Sequence, residues 1–355
     1  MNANFFLKSF RILLFPFAIL YGIVVKCRNW LYNRGYKKSV VFNLPIINVG
    51  NLAVGGTGKS PMVAYLVMQL QQQYTIAILS RGYRRKTKGY VLASQNSTAL
   101  EIGDEPLMYS QQFKNVAVAV GEQRILAVPQ LLHDVPTTQL IILDDALQHR
   151  AITATYNIVL TDYSNLYIHD FFVPTGDLRD ERKSITRANT VIVTKCPANL
   201  SIAESTAIGN RLQLPSHIPL YFTTIIYGSL YNIHTNATTN LDVTMQVLLV
   251  TGIANPQPIE ALLEQQVQLY EKIQYPDHHI FDIDDVKEIN KQFEALKCDH
   301  KIILTTQKDA MRLQKFGAAI AHLPIYILPI TIEFLYNANT TFMANVEAAI
   351  MLQKK

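Results

Sequence analysis

Residues 53–60 read AVGGTGKS, and they lie between the apolar stretch LPIINV (44–49) and a helix predicted over about residues 60–72. A glycine-rich turn between a strand and a helix is the context in which backbone amides bind phosphate. The strict G-x4-G-K-[ST] pattern begins with glycine, whereas Ala53 stands here, and Gly55 and Gly56 still supply flexibility. We predict that the nucleotide phosphates are bound by Ala53, Val54, Gly55, Gly56, Thr57, Gly58, Lys59 and Ser60.

Further apolar strands alternate with helix-length segments, which favours a doubly wound, mainly parallel α/β sheet of the P-loop NTPase type. The predicted strands are 44–49, 75–79, 116–120, 140–143, 158–160 and 190–194. A β-rich stretch, 218–233, is followed by strands at 246–251, 301–305 and 325–328, which indicates a second, smaller α/β unit. We therefore divide the chain into an N-terminal segment (1–38), a P-loop domain (39–217) and a β-linker with the smaller domain (218–355).

The composition excludes several classes of protein. Of the 355 residues, 49% are hydrophobic and 17% are charged, which excludes a disordered chain. The three cysteines are far apart and form no C-x-x-C pair, so a disulfide framework or a zinc site is not expected and a reduced compartment fits best. The first hundred residues contain thirteen Lys or Arg and no Asp or Glu. Such a cationic half indicates an anionic partner: a nucleotide, a nucleic acid or an anionic membrane.

The N-terminus contains an uncharged apolar run, ILLFPFAILYGIVV (12–25), flanked by basic residues and followed by an aromatic cluster. As a helix it would measure about 21 Å, shorter than the roughly 30 Å hydrocarbon core of a bilayer. The flanking sequence is a poor signal-peptide cleavage site. We expect a helix that lies in the membrane interface, with a buried core helix and a short transmembrane anchor as the alternatives.

Three acidic stretches are candidates for the chemistry. LIILDDALQHR (140–150) has the Walker B form, in which carboxylates follow a strand, and we expect Asp144 and Asp145 to hold Mg²⁺ directly or through water. In GDEP (103–106), one of Asp104 and Glu105 would accept a proton and the other would help to hold Mg²⁺; a solvated turn is the alternative. PDHH (276–279) would form a proton relay, or else a surface loop.

A basic and aromatic stretch, SRGYRRKTKGY (80–90), would contact nucleic acid, a phosphorylated substrate or a membrane, or would be a solvated loop. The sequence contains no signature of a nucleic-acid-binding module, and the remainder of the chain is acidic. We therefore expect no nucleic-acid partner.

Eight short stretches occur in an order that resembles the tetraacyldisaccharide 4′-kinase family, over about residues 44–313. They are VGNLAVGGTGKSP, LSRGYRR, GDEP, DDALQHR, GDLRD, VTGIANP, PDHH and TTQKDAMRL. The resemblance implies an ATP- and Mg²⁺-dependent kinase at the cytoplasmic face of the inner membrane, held there peripherally or monotopically on an anionic bilayer. It further implies that the substrate is a lipid, a tetraacylated glucosamine disaccharide 1-phosphate, and that its 4′-hydroxyl is phosphorylated. No obligate protein partner is expected.

The resemblance also implies roles for individual residues. Asp104 would be the catalytic carboxylate and His278 its partner, with His279 more replaceable. Mg²⁺ and the nucleotide would be held by Ser60, Glu105, Asp144 and Asp145. The substrate contacts would be Arg81, Gln148, His149 and Arg179.

The chain departs from the family pattern in three places. Ser60 replaces a usual Thr, Ala146-Leu147 replaces Gly-Phe, and GDLRD (176–180) replaces Gly-Pro-Leu-Arg-Glu. The last change affects the loop that carries Asp177 and Asp180. Two other functions share the phosphate loop: a membrane-associated ATP switch, which needs no Asp104–His278 pair, and a kinase for a soluble metabolite, which does not need residues 5–36.

Overall fold

The computed structural model describes residues 11–277 and 279–353. Its helices are α1 (Phe15–Asn33), α2 (Lys59–Leu70), α3 (Ala99–Ile102), α4 (Asp104–Gln112), α5 (Arg124–Asp134), α6 (Ile202–Leu212), α7 (Gln257–Gln266), α8 (Ile283–Ala295), α9 (Gln307–Leu313) and α10 (Asn339–Gln353). Short 3₁₀ helices occur at Tyr167–His169, Arg182–Arg187, Gln314–Ala319 and Leu335–Asn337.

Within these described ranges, nine strands form a first sheet in the order β15-β8-β7-β6-β1-β5-β2-β4-β3. The strands are β1 (Ile46–Asn51), β2 (Ile76–Ser80), β3 (Val91–Leu92), β4 (Ala117–Val120), β5 (Leu140–Asp144), β6 (Tyr156–Asp162), β7 (Thr190–Thr194), β8 (Leu220–Tyr227) and β15 (Ile330–Phe334). The seven strands from β8 to β4 pair in parallel, and only the edge strands β15 and β3 are antiparallel. The expectation of a mainly parallel α/β sheet is therefore confirmed.

The centre of this sheet positions the phosphate loop beside the predicted Walker B residues. Strand β1 lies between β5 and β6, and its six residues are buried. In the parallel register Val49 is opposite Asp144, and the amide of Asp145 donates to the carbonyl of Val49 at 2.9 Å. Because parallel strands end at the same sheet edge, the loops after β1 and β5 share one crevice.

The second unit has its own mixed sheet in the order β10-β9-β14-β13-β11-β12. Its strands are β9 (Leu230–Asn232), β10 (Thr238–Thr239), β11 (Gln246–Thr251), β12 (Leu269–Gln274), β13 (Lys301–Thr306) and β14 (Ile325–Leu328). Strands β12, β11, β13 and β14 pair in parallel, as expected for a second α/β unit. This part of the fold prediction is also confirmed.

The first sheet extends beyond the boundary that we drew at residue 217. Strand β8 continues through it, β15 returns to pair antiparallel with β8, and α10 packs beside them. The ring of Phe342 in α10 is fully buried and stacks on Phe334, with centroids 4.6 Å apart. The chain thus leaves the first sheet after β8, builds the second unit, and returns at β15.

Helix α1 has one buried face and one exposed apolar face. Ala18, Gly22, Val25 and Asn29 are buried at helical spacing. The opposite face exposes Phe17, Leu20, Ile23 and Val24. Across residues 11–277 and 279–353, no helix combines the length and the apolar character that crossing a membrane requires. Residues 1–10, the first part of the predicted N-terminal segment, lie outside the described residues.

Candidate active site

The predicted phosphate loop joins β1 to α2. Gly58 adopts φ +80° at the N-cap of α2, a left-handed conformation that favours glycine. Ala53 forms an antiparallel bridge with Leu178, an extended conformation that alanine adopts without strain, and this explains why the missing first glycine is tolerated. The amide of Val54 donates to the carbonyl of Asp177 at 2.7 Å, so the GDLRD stretch braces the loop.

The side chain of Lys59 turns toward the end of β5. Its Nζ lies 3.9 Å from Oδ1 of Asp145. Arg179 donates to both carboxylate oxygens of Asp145, one of them at 2.8 Å, and also to Oδ1 of Asn51. Burial raises the pKa of Asp145, but Lys59 and then Arg179 outweigh it and bring that pKa to about 2. Asp145 is therefore ionised at neutral pH.

The side chain of Asp144 is buried, and its hydrogen bonds to neighbouring side chains are long. Its Oδ2 accepts long hydrogen bonds from Ser80 (3.3 Å) and Tyr109 (3.4 Å). Its buried Oδ1 has no hydrogen-bond partner among the described residues. Burial, followed by the charges of Glu105 and Asp145, raises the pKa of Asp144 to about 7. This oxygen is positioned to accept a cation or a water molecule.

Glu105 connects the phosphate loop with the second unit. Its Oε1 accepts a 2.6 Å hydrogen bond from the hydroxyl of Ser60 and a 2.5 Å ionic hydrogen bond from Nζ of Lys308. Burial raises the pKa of Glu105, yet Lys308, Ser60 and Lys59 outweigh that effect and lower it to about 2. The carboxylate therefore carries a negative charge within reach of the first turn of α2.

Asp104 begins α4, directly after Gly103, whose φ of +93° turns the chain into the helix. Both Nε and Nη2 of Arg312 donate to Oδ2 of Asp104, at 2.8 and 2.7 Å. Asp104 and Glu105, the first two residues of α4, are thus both ion-paired with α9 of the second unit.

The predicted catalytic partner of Asp104, His278, lies outside the described residues. The next residue, His279, contacts its own unit: its Nε2 lies 2.7 Å from the carboxylate of Asp285, and its ring stacks on Tyr275 with centroids 4.5 Å apart. That His279 is the more replaceable of the two histidines stays a prediction.

The four predicted substrate contacts lie in loops that follow β2, β5 and β6 of the first sheet. Arg179 binds Asp145, as described above. Gln148 donates from Nε2 to the carbonyl of Asn51 at 2.8 Å. Arg81 is exposed, and its charge contributes to lowering the pKa of His149. Burial and then Arg124 are the larger causes, and they bring the pKa of His149 to about 4, so the imidazole is neutral at pH 7.

Helix α1 holds the loops that carry two of these residues. The hydroxyl of Tyr21 donates to the carbonyl of Arg179 at 3.0 Å, and Arg28 donates to the carbonyl of Gln148. The helix with the exposed apolar face therefore contacts both of these loops directly.

Sequence reasoning missed several residues of the site. Asn51 donates to Thr57 at 2.7 Å and accepts from Arg179, so it ties the phosphate loop to GDLRD. Its position at the end of β1, two residues before the loop, is a sequence feature that could have indicated this role. Arg124 is almost fully buried, and within the described chain its Nε and Nη2 have no hydrogen-bond partner. Lys308 and Arg312 belong to TTQKDAMRL, a stretch to which the sequence alone assigns no role.

The predicted metal-binding residues fit Mg²⁺. An unpaired buried Asp144 oxygen, the ionised Asp145 and Glu105, and the Ser60 hydroxyl are hard oxygen donors of the kind that Mg²⁺ prefers. In the part of the chain that the structure describes, no group of three His, Cys, Asp or Glu side chains forms a metal cage by itself. A phosphate-loop site does not require one, because phosphate oxygens and waters complete the coordination.

Comparison with known proteins identifies one family. Residues 10–350 match the family model described as tetraacyldisaccharide-1-P 4′-kinase. The tetraacyldisaccharide 4′-kinase of Bacteroides thetaiotaomicron is 40% identical over 94% of this chain and 91% of its own. That of Flavobacterium johnsoniae is 43% identical over 89% of this chain and 92% of its own.

A solved structure extends the match to the fold. LpxK from Aquifex aeolicus in complex with ATP superposes with a TM-score of 0.75 at 25% identity, covering 96% of this chain and 99% of that one. The family model and both relatives span nearly the whole chain. This chain therefore belongs to the tetraacyldisaccharide-1-P 4′-kinase family.

Proposed function

We propose that this chain transfers the γ-phosphoryl group of ATP to the 4′-hydroxyl of a tetraacylated glucosamine disaccharide 1-phosphate, a precursor of lipid A. The observation that carries the proposal is the contact between Ser60 and Glu105, which joins the phosphate loop to the GDEP carboxylates. A nucleotide switch would need the loop and the Walker B residues alone. A pair of acidic residues beside the loop is what a hydroxyl acceptor requires.

The phosphate loop would hold ATP by its backbone amides, while Lys59 would reach the β- and γ-phosphates. Ser60, Glu105, Asp144 and Asp145 would hold Mg²⁺, which when bound neutralises the charge on the β- and γ-phosphates. Arg179 would keep Asp145 oriented through its two hydrogen bonds to that carboxylate.

In the transfer itself, Asp104 would accept the proton of the 4′-hydroxyl. The alkoxide oxygen would form a bond to the γ-phosphorus, while the bond from the γ-phosphorus to the β–γ bridging oxygen breaks and ADP leaves with that oxygen. Because the transition state is loose, most of the catalytic effect comes from positioning and from charge neutralisation. His278 would assist Asp104 as its hydrogen-bonded partner.

The acceptor would enter at the mouth formed by Arg81, Gln148, His149 and Arg179. A neutral His149 and the Gln148 amide suit sugar hydroxyls, whereas the exposed Arg81 suits the 1-phosphate. These contacts lie next to α1, which holds the backbone of Gln148 and Arg179.

The enzyme would act on the cytoplasmic face of the inner membrane, where a tetraacylated substrate stays embedded. Helix α1 supports this location, because its outer face presents Phe17, Leu20 and Val24 and its flanks are basic. An apolar helix face with cationic borders is suited to an anionic bilayer surface. The acceptor mouth would then open toward the lipid head groups.

The test is phosphorylation in vitro. Purified protein, Mg-ATP and the disaccharide 1-phosphate in detergent micelles should give a bisphosphorylated lipid, identified by its mass and by transfer of a ³²P label from the γ-position. Lys59→Met, purified identically, excludes a contaminating kinase because it should give no product. ATP hydrolysis without lipid product, at a rate indifferent to added lipid, would contradict the proposal and favour the ATP switch.

A further inference from the structure

Two of the sequence stretches, VTGIANP (250–256) and TTQKDAMRL (305–313), play no part in the transfer as described above. They lie side by side in the second unit, because β11 and β13 are neighbouring parallel strands and each stretch begins at the carboxyl end of its strand. Strand β13 leads directly into α9, whose N-cap is Thr306. The two stretches therefore form one structural site, which faces the first unit through α9.

The centre of this site is the buried carboxylate of Asp309. Its side chain is 0% exposed. Its Oδ2 accepts from the amide of Gly252 at 2.9 Å and from the hydroxyl of Thr306 at 2.8 Å. Its Oδ1 accepts from Nη1 of Arg312 at 2.8 Å. Because Gly252 and Thr306 hold the Asp309 carboxylate on one side, the carboxylate in turn holds one edge of the Arg312 guanidinium.

The other edge of the Arg312 guanidinium binds a carboxylate outside the second unit. Nε and Nη2 of Arg312 donate to Oδ2 of Asp104 at 2.8 and 2.7 Å, and the Arg312 side chain is only 7% exposed. Both charge-assisted hydrogen bonds converge on this one oxygen, so the planar fork fixes the position of Oδ2 and thereby restricts the placement of the carboxylate. A lysine ammonium at this position would supply the charge without that fork geometry.

We propose that Arg312 is a positioning residue for the kinase reaction: held by Asp309, it sets the orientation of the Asp104 carboxylate for its proton transfer with the acceptor hydroxyl. This inference rests on the proposed function, since it presumes that Asp104 is the base. It assigns a task to both unexplained stretches. VTGIANP supplies the Gly252 amide that holds Asp309, and TTQKDAMRL supplies Thr306, Asp309 and Arg312.

The competing explanation is that Arg312 only holds the two units together. The structure provides a matched control, because Nε2 of Gln111 donates to Oε1 of Gln314 at 2.8 Å and joins the same two units without contacting Asp104. If the Arg312 contact serves attachment alone, Arg312→Gln and Gln314→Ala should have similar effects on kcat and Tm. Such a contact should also tolerate Arg312→Lys, which keeps the positive charge.

The experiment measures kcat and KM for both substrates, nucleotide Kd and Tm for the wild type, Arg312→Gln, Arg312→Lys, Arg312→Ala and Gln314→Ala. We expect kcat to fall about 10- to 100-fold in all three Arg312 variants, as for a misplaced catalytic group, while KM and Kd for ATP stay within about twofold. Gln314→Ala should keep the wild-type kcat. Added guanidinium at millimolar concentration should restore part of the kcat of Arg312→Ala, and methylammonium should not.

The outcomes separate the two proposals. A wild-type protein that does not phosphorylate the lipid overturns the proposed function, and the role of Arg312 falls with it. An active wild type together with an Arg312→Lys variant of unchanged kcat overturns the positioning role alone. That role is also overturned if the loss of kcat in every variant simply follows its loss of Tm, or if guanidinium and methylammonium rescue Arg312→Ala equally.

Discussion

The hydroxyl of Ser60 donates a 2.6 Å hydrogen bond to the same Glu105 oxygen that Nζ of Lys308 contacts at 2.5 Å. One carboxylate thus joins the first turn of α2, the start of α4 and the second unit. If Ser60 also contributes to the Mg²⁺ site, removing its hydroxyl will raise the Mg²⁺ concentration needed for activity by about 10- to 100-fold. Ser60→Ala should show this shift in a Mg²⁺ titration of phosphoryl transfer. Ser60→Thr, which keeps the hydroxyl, should not, and equal Mg²⁺ requirements would exclude Ser60 as a ligand.

Asp104→Asn keeps the shape of the side chain and removes the proton acceptor. We expect kcat to fall by about 10²- to 10⁴-fold, the usual contribution of a general base, with little change in the Kd for ATP. Steady-state kinetics and nucleotide-binding calorimetry measure the two quantities separately. Asp299→Asn, at an exposed position of the second unit, is the control and should behave as the wild type. A kcat that is unchanged in Asp104→Asn would remove this residue from the mechanism.

The raised pKa of Asp144 predicts a pH-dependent requirement for metal. Burial and the charges of Glu105 and Asp145 bring that pKa to about 7, so below this pH a proton competes with Mg²⁺ for the carboxylate. The apparent Mg²⁺ affinity should therefore weaken by at most about tenfold for each pH unit below 7, and it should level off above pH 7. Mg²⁺ titrations of nucleotide binding from about pH 6 to about pH 8 test this expectation.

Asp144→Asn is the matched variant for this titration. It should bind Mg²⁺ weakly at every pH, without the slope near pH 7. A wild-type affinity that is flat across the range would show that Asp144 is already ionised in the metal-free protein.

The exposed face of α1 predicts how the protein binds membranes. Phe17→Ser, Leu20→Ser and Val24→Ser each remove an exposed apolar side chain, and each should weaken binding to anionic vesicles by about tenfold or more. Vesicle sedimentation measures the loss. Deletion of the helix is the poorer test, since Ala18, Gly22 and Val25 are buried and a truncated protein would expose the surface that they cover.

Leu352→Ser is the control for these variants. Leu352 is 74% exposed, compared with 61% for Leu20, but it lies in α10. If this variant loses vesicle binding as strongly as Leu20→Ser does, general surface hydrophobicity explains the binding and α1 has no special role.

Phe342 lies in the last helix, yet its ring packs in the core of the first sheet against Phe334 and Tyr221. Phe342→Ala should cost about 3–5 kcal/mol of unfolding free energy, as for other buried aromatic residues. Denaturant unfolding, monitored by the loss of nucleotide binding, measures the effect on the first unit. Leu352→Ala, on the same helix and exposed, should change the free energy by less than about 0.5 kcal/mol. A small effect of Phe342→Ala would mean that α10 contributes little to this core.

The phosphate loop and the Walker B strand could be predicted because their signals are local. A strand, a glycine-rich turn and a helix are consecutive in sequence, and parallel strands bring their carboxyl ends together without further information. The predicted strand 75–79 is observed as Ile76–Ser80, and the predicted 158–160 as Tyr156–Asp162. Boundaries moved by one or two residues because the last ladder contacts depend on neighbouring strands.

The contacts between distant parts of the chain could not be predicted in this way. The pairing of Arg312 with Asp104 and of Lys308 with Glu105 joins positions about two hundred residues apart, for which a single sequence contains no signal. Strand β12 was missed because LYEKIQ is a largely exposed edge strand without an apolar run. Arg179 was predicted from the family pattern as a substrate contact, and its bonds to Asp145 and Asn51 emerge only from the three-dimensional structure.

Because β15 returns to pair with β8, the first sheet is completed only late in synthesis. The phosphate loop leaves the ribosome early, but the strand that completes its sheet on the β8 side is synthesised about a hundred residues after β8, once the second unit has been translated. Until then the edge of β8 is unpaired, and the aromatic core around Phe334 and Phe342 does not exist. The long sequence separation of this pairing also makes it slow to form. A nascent chain that stalls inside the second unit would therefore carry a complete nucleotide loop on an unfinished, aggregation-prone sheet.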